Sequence, residues 1–150
     1  MNNMIELKNI SKSYISTKQI EVLKNINFIF KPGKIYSLIG PSGSGKSTLL
    51  NLISLIDKPS SGFIKLDNIK IDNDIDRRDS IRSKKIGIIY QDKNLLSDFT
   101  TLENIYLARL ALNDNKKKAI LDAKKIIKKV GLENRQSHFP RELSGGESQR

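Results

Sequence analysis

The chain contains no cysteine. Disulfide bridges, cysteine-ligated zinc and thiol chemistry are therefore excluded. Long apolar runs are missing too. The richest, LLNLISLI (Leu49–Ile56), is too short and too interrupted to span a bilayer. The N-terminal MNNMIELKNI has no basic segment leading into an apolar stretch, so no signal peptide is expected, and Met4 is an alternative start. There are no repeats, low-complexity tracts or linkers. Acidic residues are scarce: 16 Asp and Glu against 27 Lys and Arg leave a net charge of +11. A cytoplasmic chain is the default expectation.

With 150 residues, 37% hydrophobic and 29% charged, the chain is long enough for one globular domain with a real core. Its positive charge admits a solvated surface, a nucleic acid or an anionic membrane as readings. Many of the lysines fall in KKKAILDAKKIIKKVG (Lys116–Gly131), where Ile120, Ala123, Ile127 and Val130 recur at helical spacing. That spacing predicts an amphipathic surface helix with a basic outer side, stopped at Gly131. No arginine-rich tract or row of aromatics offers a platform for bases. The solvated-surface reading is preferred, and no direct nucleic-acid partner is expected.

Short apolar strands alternate with helices, the pattern of an α/β domain. MIELKNI (Met4–Ile10), VLKNINFIF (Val22–Phe30) and SGFIKLD (Ser61–Asp67) read as strands, and KPGK (Lys31–Lys34) as a turn. IYSLIG (Ile35–Gly40) predicts a short buried strand, and KIGIIYQ (Lys85–Gln91) another. LDNIKIDNDIDRRD (Leu66–Asp79) reads as polar and loop-like, its carboxylates mostly for solvent. From about Thr100 the pattern becomes helical. A strand-rich core over about 1–99 and a helical piece over about 100–150 are expected.

Gly40, Pro41, Ser42, Gly43, Ser44, Gly45, Lys46, Ser47 and Thr48 spell GPSGSGKST, which fits G-x-x-x-x-G-K-[ST]. A loop that wraps a phosphate must point consecutive backbone N–H groups inward, and side chains would obstruct this, so glycine recurs. A helix beginning near Lys46 adds its positive end. Lys46 can reach the β- and γ-phosphates, and the Ser47 hydroxyl can ligate Mg²⁺. The pattern sits between an apolar strand and an apolar helix, as the motif requires. It implies a nucleoside triphosphate without fixing the reaction.

A second glycine loop, Leu143, Ser144, Gly145, Gly146 and Glu147, again places N–H groups and a hydroxyl at a predicted helix start. On its own it reads first as an ordinary serine cap. Taken with the first loop, it resembles the signature of the ATP-binding cassette (ABC) ATPases, usually written LSGGQ, with Glu147 in place of the commonest glutamine. Gln91 falls where that family has its Q-loop glutamine, which implies a catalytic and Mg²⁺-ligating role alongside Lys46 and Ser47. Tyr14, in ISKSY, falls where an aromatic ring stacks on adenine. Read without the family, Tyr14 is a half-buried core tyrosine and Gln91 a solvent-facing strand end. LLSDFTTLENI (Leu95–Ile105) and VGLENRQSHFPRELSGGESQR (Val130–Arg150) resemble the ATPases of lipoprotein-releasing systems and macrolide exporters.

The resemblance covers essentially the whole chain. It implies a P-loop ATPase of ABC type, with a β-rich ATP-binding core and a helical subdomain ending in the signature. It further implies Mg-ATP as ligand and a homodimer or paired nucleotide-binding domain, in which one chain's signature closes over the other's ATP. A separate membrane permease and a peripheral place on the cytoplasmic membrane face follow. The family's acidic strand and histidine loop lie C-terminal to the signature, beyond Arg150, so an incomplete chain is expected. The single histidine, His138, precedes the signature and is expected to be a surface or loop residue. Coupling ATP hydrolysis to lipoprotein release or export is the leading function. An ABC-type ATPase linked to nucleic acid or translation, and an inactive fragment, stand as alternatives.

Overall fold

The computed structural model describes residues 4–15, 17–71, 74–91, 94–112 and 115–150. The chain forms two compact units, residues 1–88 and 89–150.

In the first unit, branched and aromatic residues favour long strands. Strand β1 (Ile5–Ile15) pairs antiparallel with β2 (Gln19–Phe30) on one side and with β3 (Ser61–Leu66) on the other. A two-residue β4 (Ile69–Lys70) completes the order β2-β1-β3-β4. Helix α1 (Lys46–Ile53) seats Leu52 in the core, with Leu7, Ile10, Leu23, Leu55 and Ile64. β1 is irregular. Its register shifts between Lys8 and Ser11, where Asn9 adopts a left-handed φ of 51°. Gly62 of β3 lies against this bulge, itself at φ 81°, and a Cβ there would be driven into the Asn9 carbonyl.

Three sequence expectations are corrected. Leu66–Asp79 is not all loop. It holds β4 and the start of helix α2 (Ile75–Lys85), whose N-cap Asp74 accepts the Arg77 N–H at 2.9 Å, while Asp72 and Asn73 lie outside the described residues. Its helical propensity is hidden by polarity, because the side chain it buries is Arg78. That guanidinium donates to the carbonyls of Leu55 and Asp57 at 3.0 and 2.6 Å, satisfying acceptors left open beyond α1. Ile35–Gly40 and Ile86–Gln91 are not strands. Ile35 is 99% exposed and Ile89 100% exposed. A strand is defined by a hydrogen-bonded neighbour, and none of the described residues pairs with either segment. The turn at Lys31–Lys34 is present, with Gly33 at φ 69°.

In the second unit, helix α3 (Thr101–Leu110) opens with a capping box. The Glu103 carboxylate accepts the Thr100 N–H at 2.8 Å, and the Thr100 hydroxyl accepts the Glu103 N–H at 3.3 Å. α3 packs on α4 (Lys116–Lys129), where Ala119, Ala123 and Ile127 are fully buried and the lysines lie outside. Two 3₁₀ turns, Glu133–Arg135 and Pro140–Glu142, lead to the short helix α5 (Gly145–Gln149). His138, between the turns, is a half-buried loop residue, as the expectation allowed. Its carbonyl accepts the Thr101 N–H at 2.8 Å, tying this loop to α3.

Candidate phosphate-binding site

The loop from Gly40 to Gly45 is shaped by its glycines. Gly43 and Gly45 have φ of 79° and 86°, which side chains rarely adopt. They differ in surroundings. A Cβ at Gly43 would meet nothing, whereas one at Gly45 would lie 2.9 Å from Leu23 Cδ2 and 3.2 Å from the Val22 carbonyl oxygen. Gly45 is therefore where the loop presses on β2. The Ser44 N–H donates to the Pro41 carbonyl at 3.3 Å. The Lys46 ammonium donates to the carbonyls of Gly40 and Pro41 at 2.9 and 2.6 Å, drawing the loop closed.

α1 starts at Lys46, and its N-cap, Gly45, supplies no side-chain acceptor. No acidic residue sits in its first turn, so its positive end is uncompensated. A depression of about 360 Å³ opens here, lined by Val22, Ser42, Gly43, Gly45, Lys46, Ser47 and Thr48. It offers an ammonium, backbone N–H groups and hydroxyls, and no carboxylate. That set suits a phosphate chain. A magnesium ion fits less completely: the exposed Ser47 hydroxyl supplies one oxygen, and no group of three or more His, Asp or Glu among the described residues forms a cage.

Tyr14 ends near this wall. It pairs with Ile20 across the β1–β2 ladder, two residues from Val22. The ring is exposed, not core. Its hydroxyl donates to Asp57 Oδ2 at 3.0 Å, and the Lys12 ammonium lies 4.8 Å from the ring centroid while bonding Asp57 Oδ1 at 2.8 Å. Burial works against the Asp57 charge, but Lys12, the Lys58 amide and the Tyr14 hydroxyl together hold its carboxyl below the usual value. Gln91 is exposed and belongs to the second unit.

The second glycine loop is also a capped helix start. Ser144 is the N-cap, and its hydroxyl accepts the Glu147 N–H at 3.3 Å. Glu147 answers by accepting the Ser144 N–H at 2.8 Å and the Arg135 Nε–H at 2.8 Å. These bonds lower its carboxyl from 4.5 to about 2, the Ser144 amide contributing most. Added Cβ atoms at Gly145 and Gly146 would meet nothing within 4 Å. Glycine is thus not demanded there by packing within this chain. Sequence reasoning missed Arg135, and also the Lys12–Asp57 pair that holds Tyr14. No local pattern joins residues so far apart; only the tertiary fold does.

The family described as ABC transporter matches residues 23–150. The lipoprotein-releasing system ATP-binding protein LolD of Rickettsia felis is 44% identical over 150 residues, covering 99% of this chain and 66% of its own. Among solved structures, the dimeric bacterial ABC transporter cassette MJ0796 aligns with a TM-score of 0.83 and 40% identity, covering 96% of this chain and 65% of its own. A post-hydrolysis state of the same cassette, bound to ADP and Pi, aligns equally well, with the same TM-score of 0.83. The chain thus spans about two thirds of the length of the relatives it matches.

Proposed function

This chain belongs to the ABC transporter family, and from that we propose that it binds Mg-ATP as part of a subunit that couples ATP binding and hydrolysis to a separate membrane permease. The observation that carries the reading is the Gly40–Thr48 loop. It is closed by the Lys46 ammonium, opens onto an uncapped helix end and bears no acidic side chain. Gly40–Gly45 would cradle the phosphates with backbone N–H groups, Lys46 would turn from its two carbonyls to the β- and γ-phosphates, and Thr48 would add a hydroxyl. Tyr14, held by Asp57 near the end of β1, would stack on the adenine. Ser47 would hold the magnesium ion, which neutralises phosphate charge when bound, and for Gln91 the metal-ligating role is the one its motif position implies.

Residues up to about 99 would form the ATP-binding core, and the rest a helical subdomain. Ser144, Gly145, Gly146 and Glu147 would act in trans, meeting the ATP of a second nucleotide-binding domain. The unfilled space at both glycines supports this, because helix-weakening residues stand where no described residue crowds them. No helix among the described residues is long and apolar enough to cross a membrane; the subunit would sit peripherally on the cytoplasmic face. The names of the relatives point to lipoprotein release as the work performed. Calorimetry with Mg-ATP tests the cradle: Lys46→Ala should weaken binding roughly ten- to hundredfold, the loss of one charge-assisted bond. Equal affinity in both proteins would refute it. Gly145→Asp should abolish ATP-dependent dimerisation in a hydrolysis-blocked background while sparing binding to one chain; a normal dimer would refute the trans role.

A further inference from the structure

Glu147 raises a problem for this reading. A carboxylate in a loop that must receive a triphosphate repels its ligand. The structure holds a remedy in residues that the glycine motifs do not include. Arg135 closes the first 3₁₀ turn. Its N–H donates to the carbonyl of the buried Leu132 at 2.9 Å, so its backbone is fixed. From there its Nε–H meets Glu147 Oε1 at 2.8 Å, while the Ser144 N–H takes Oε2 at 2.8 Å. Each carboxylate oxygen therefore has its own donor, and the Glu147 side chain is only 18% exposed. Arg150 adds a second cation nearby, donating to the carbonyls of Gly146 and Val130 at 3.4 and 3.2 Å.

We infer that Arg135 is a positioning residue of the Ser144–Glu147 loop: it neutralises and anchors the Glu147 carboxylate, so that the loop can meet a nucleotide phosphate despite carrying an acid. This rests on the trans reading given above. Without Arg135 the carboxylate loses its counter-charge and one of its two tethers. The negative charge then faces the incoming phosphate, and the Ser144 cap loosens with it. An amide at 147 carries no charge to neutralise, so Arg135 should matter far less beside it.

The test uses the full-length protein in a hydrolysis-blocked background and reads the ATP concentration for half-maximal dimerisation by analytical ultracentrifugation. Arg135→Ala should raise it by about tenfold, because the Glu147 charge then meets the incoming phosphate without its counter-charge. In the Glu147→Gln background the same substitution should raise it by no more than about twofold. Arg135→Lys, which keeps the charge, should recover most of the loss. Arg135→Gln keeps a donor without charge and repeats the test should Arg135→Ala fail to fold; its loss too should depend on Glu147. No ATP-dependent dimer of the parent protein would overturn the trans reading and this inference with it. A dimerising parent with an unaffected Arg135→Ala would overturn the inference alone. Equal losses in both backgrounds would reduce Arg135 to a structural brace and overturn it as well.

Discussion

Gly43 and Gly45 share a backbone conformation but not an environment, and substituting each with alanine should separate folding from binding. Both sit at left-handed φ, 79° and 86°. An L-residue there costs about 1–2 kcal/mol. For Gly43→Ala that is nearly the whole cost, because the new methyl meets nothing within 4 Å. For Gly45→Ala the methyl arrives 2.9 Å from Leu23 Cδ2 and 3.2 Å from both Val22 Cγ1 and the Val22 carbonyl oxygen. Leu23 can turn aside only by disturbing the core it belongs to, and the carbonyl is part of the β2 backbone. Overpacking of this kind adds about 1–3 kcal/mol. Gly45→Ala should therefore destabilise by about 2–5 kcal/mol, against about 1–2 kcal/mol for Gly43→Ala. Urea denaturation with matched m-values measures the difference. Calorimetry with Mg-ATP supplies the other half: the Gly43 methyl lines the depression and should hurt binding more than stability. Equal stability losses, or a loss below about 1 kcal/mol at Gly45, would show that the loop does not press on β2 as described.

Glu147 gives a pH-dependent test. Its carboxyl lies at about 2 in the folded chain against an ordinary value of 4.5. Its stabilising bonds are complete above pH 4.5 and are lost as the pH falls towards 2. The stability difference between the parent protein and Glu147→Gln should therefore shrink across that window, and a pH-independent difference would contradict the clamp. At Tyr14 the ring and the hydroxyl can be separated. Tyr14→Phe breaks the bond to Asp57 and should cost about 0.5–1.5 kcal/mol of stability with ATP affinity kept. Tyr14→Ala should cost about 1–3 kcal/mol of ATP binding if the ring stacks on the base. Ile127→Ala, at a fully buried position of α4, should destabilise by about 2–5 kcal/mol in thermal unfolding.

Much of this was legible in the residues. The glycines and Lys46 of the phosphate loop announce their geometry, because left-handed backbone and a helix start leave few other choices. The α4 stripe reads in part: Ala123 and Ile127 of the expected face are buried, Ile120 and Val130 are half-buried, and Ala119 is the buried residue the pattern left out. Ser144 as a cap also follows from its type. Other features could not be read. IYSLIG and IGIIY have strand composition, yet composition does not supply a neighbour. α2 hid because its inward residue is an arginine that caps carbonyls, so no apolar stripe marks it. Arg135, Lys12 and Asp57 carry their meaning only through partners distant in sequence.

The β1 bulge fixes where substitution can be tolerated. Asn9 turns the strand into left-handed space, and Gly62 alone leaves room for its carbonyl. Sliding β3 by one residue would put Ser61 or Phe63 there, and either side chain would collide with the backbone. The pair therefore acts as a key that admits one alignment of the sheet. β2, whose Val22 and Leu23 form the wall behind Gly45, is hydrogen-bonded to that same strand. In a library of variants selected for nucleotide binding, Gly62 should be as intolerant as the phosphate-loop glycines. It would stand out as a position that touches no ligand and yet decides whether one can be held.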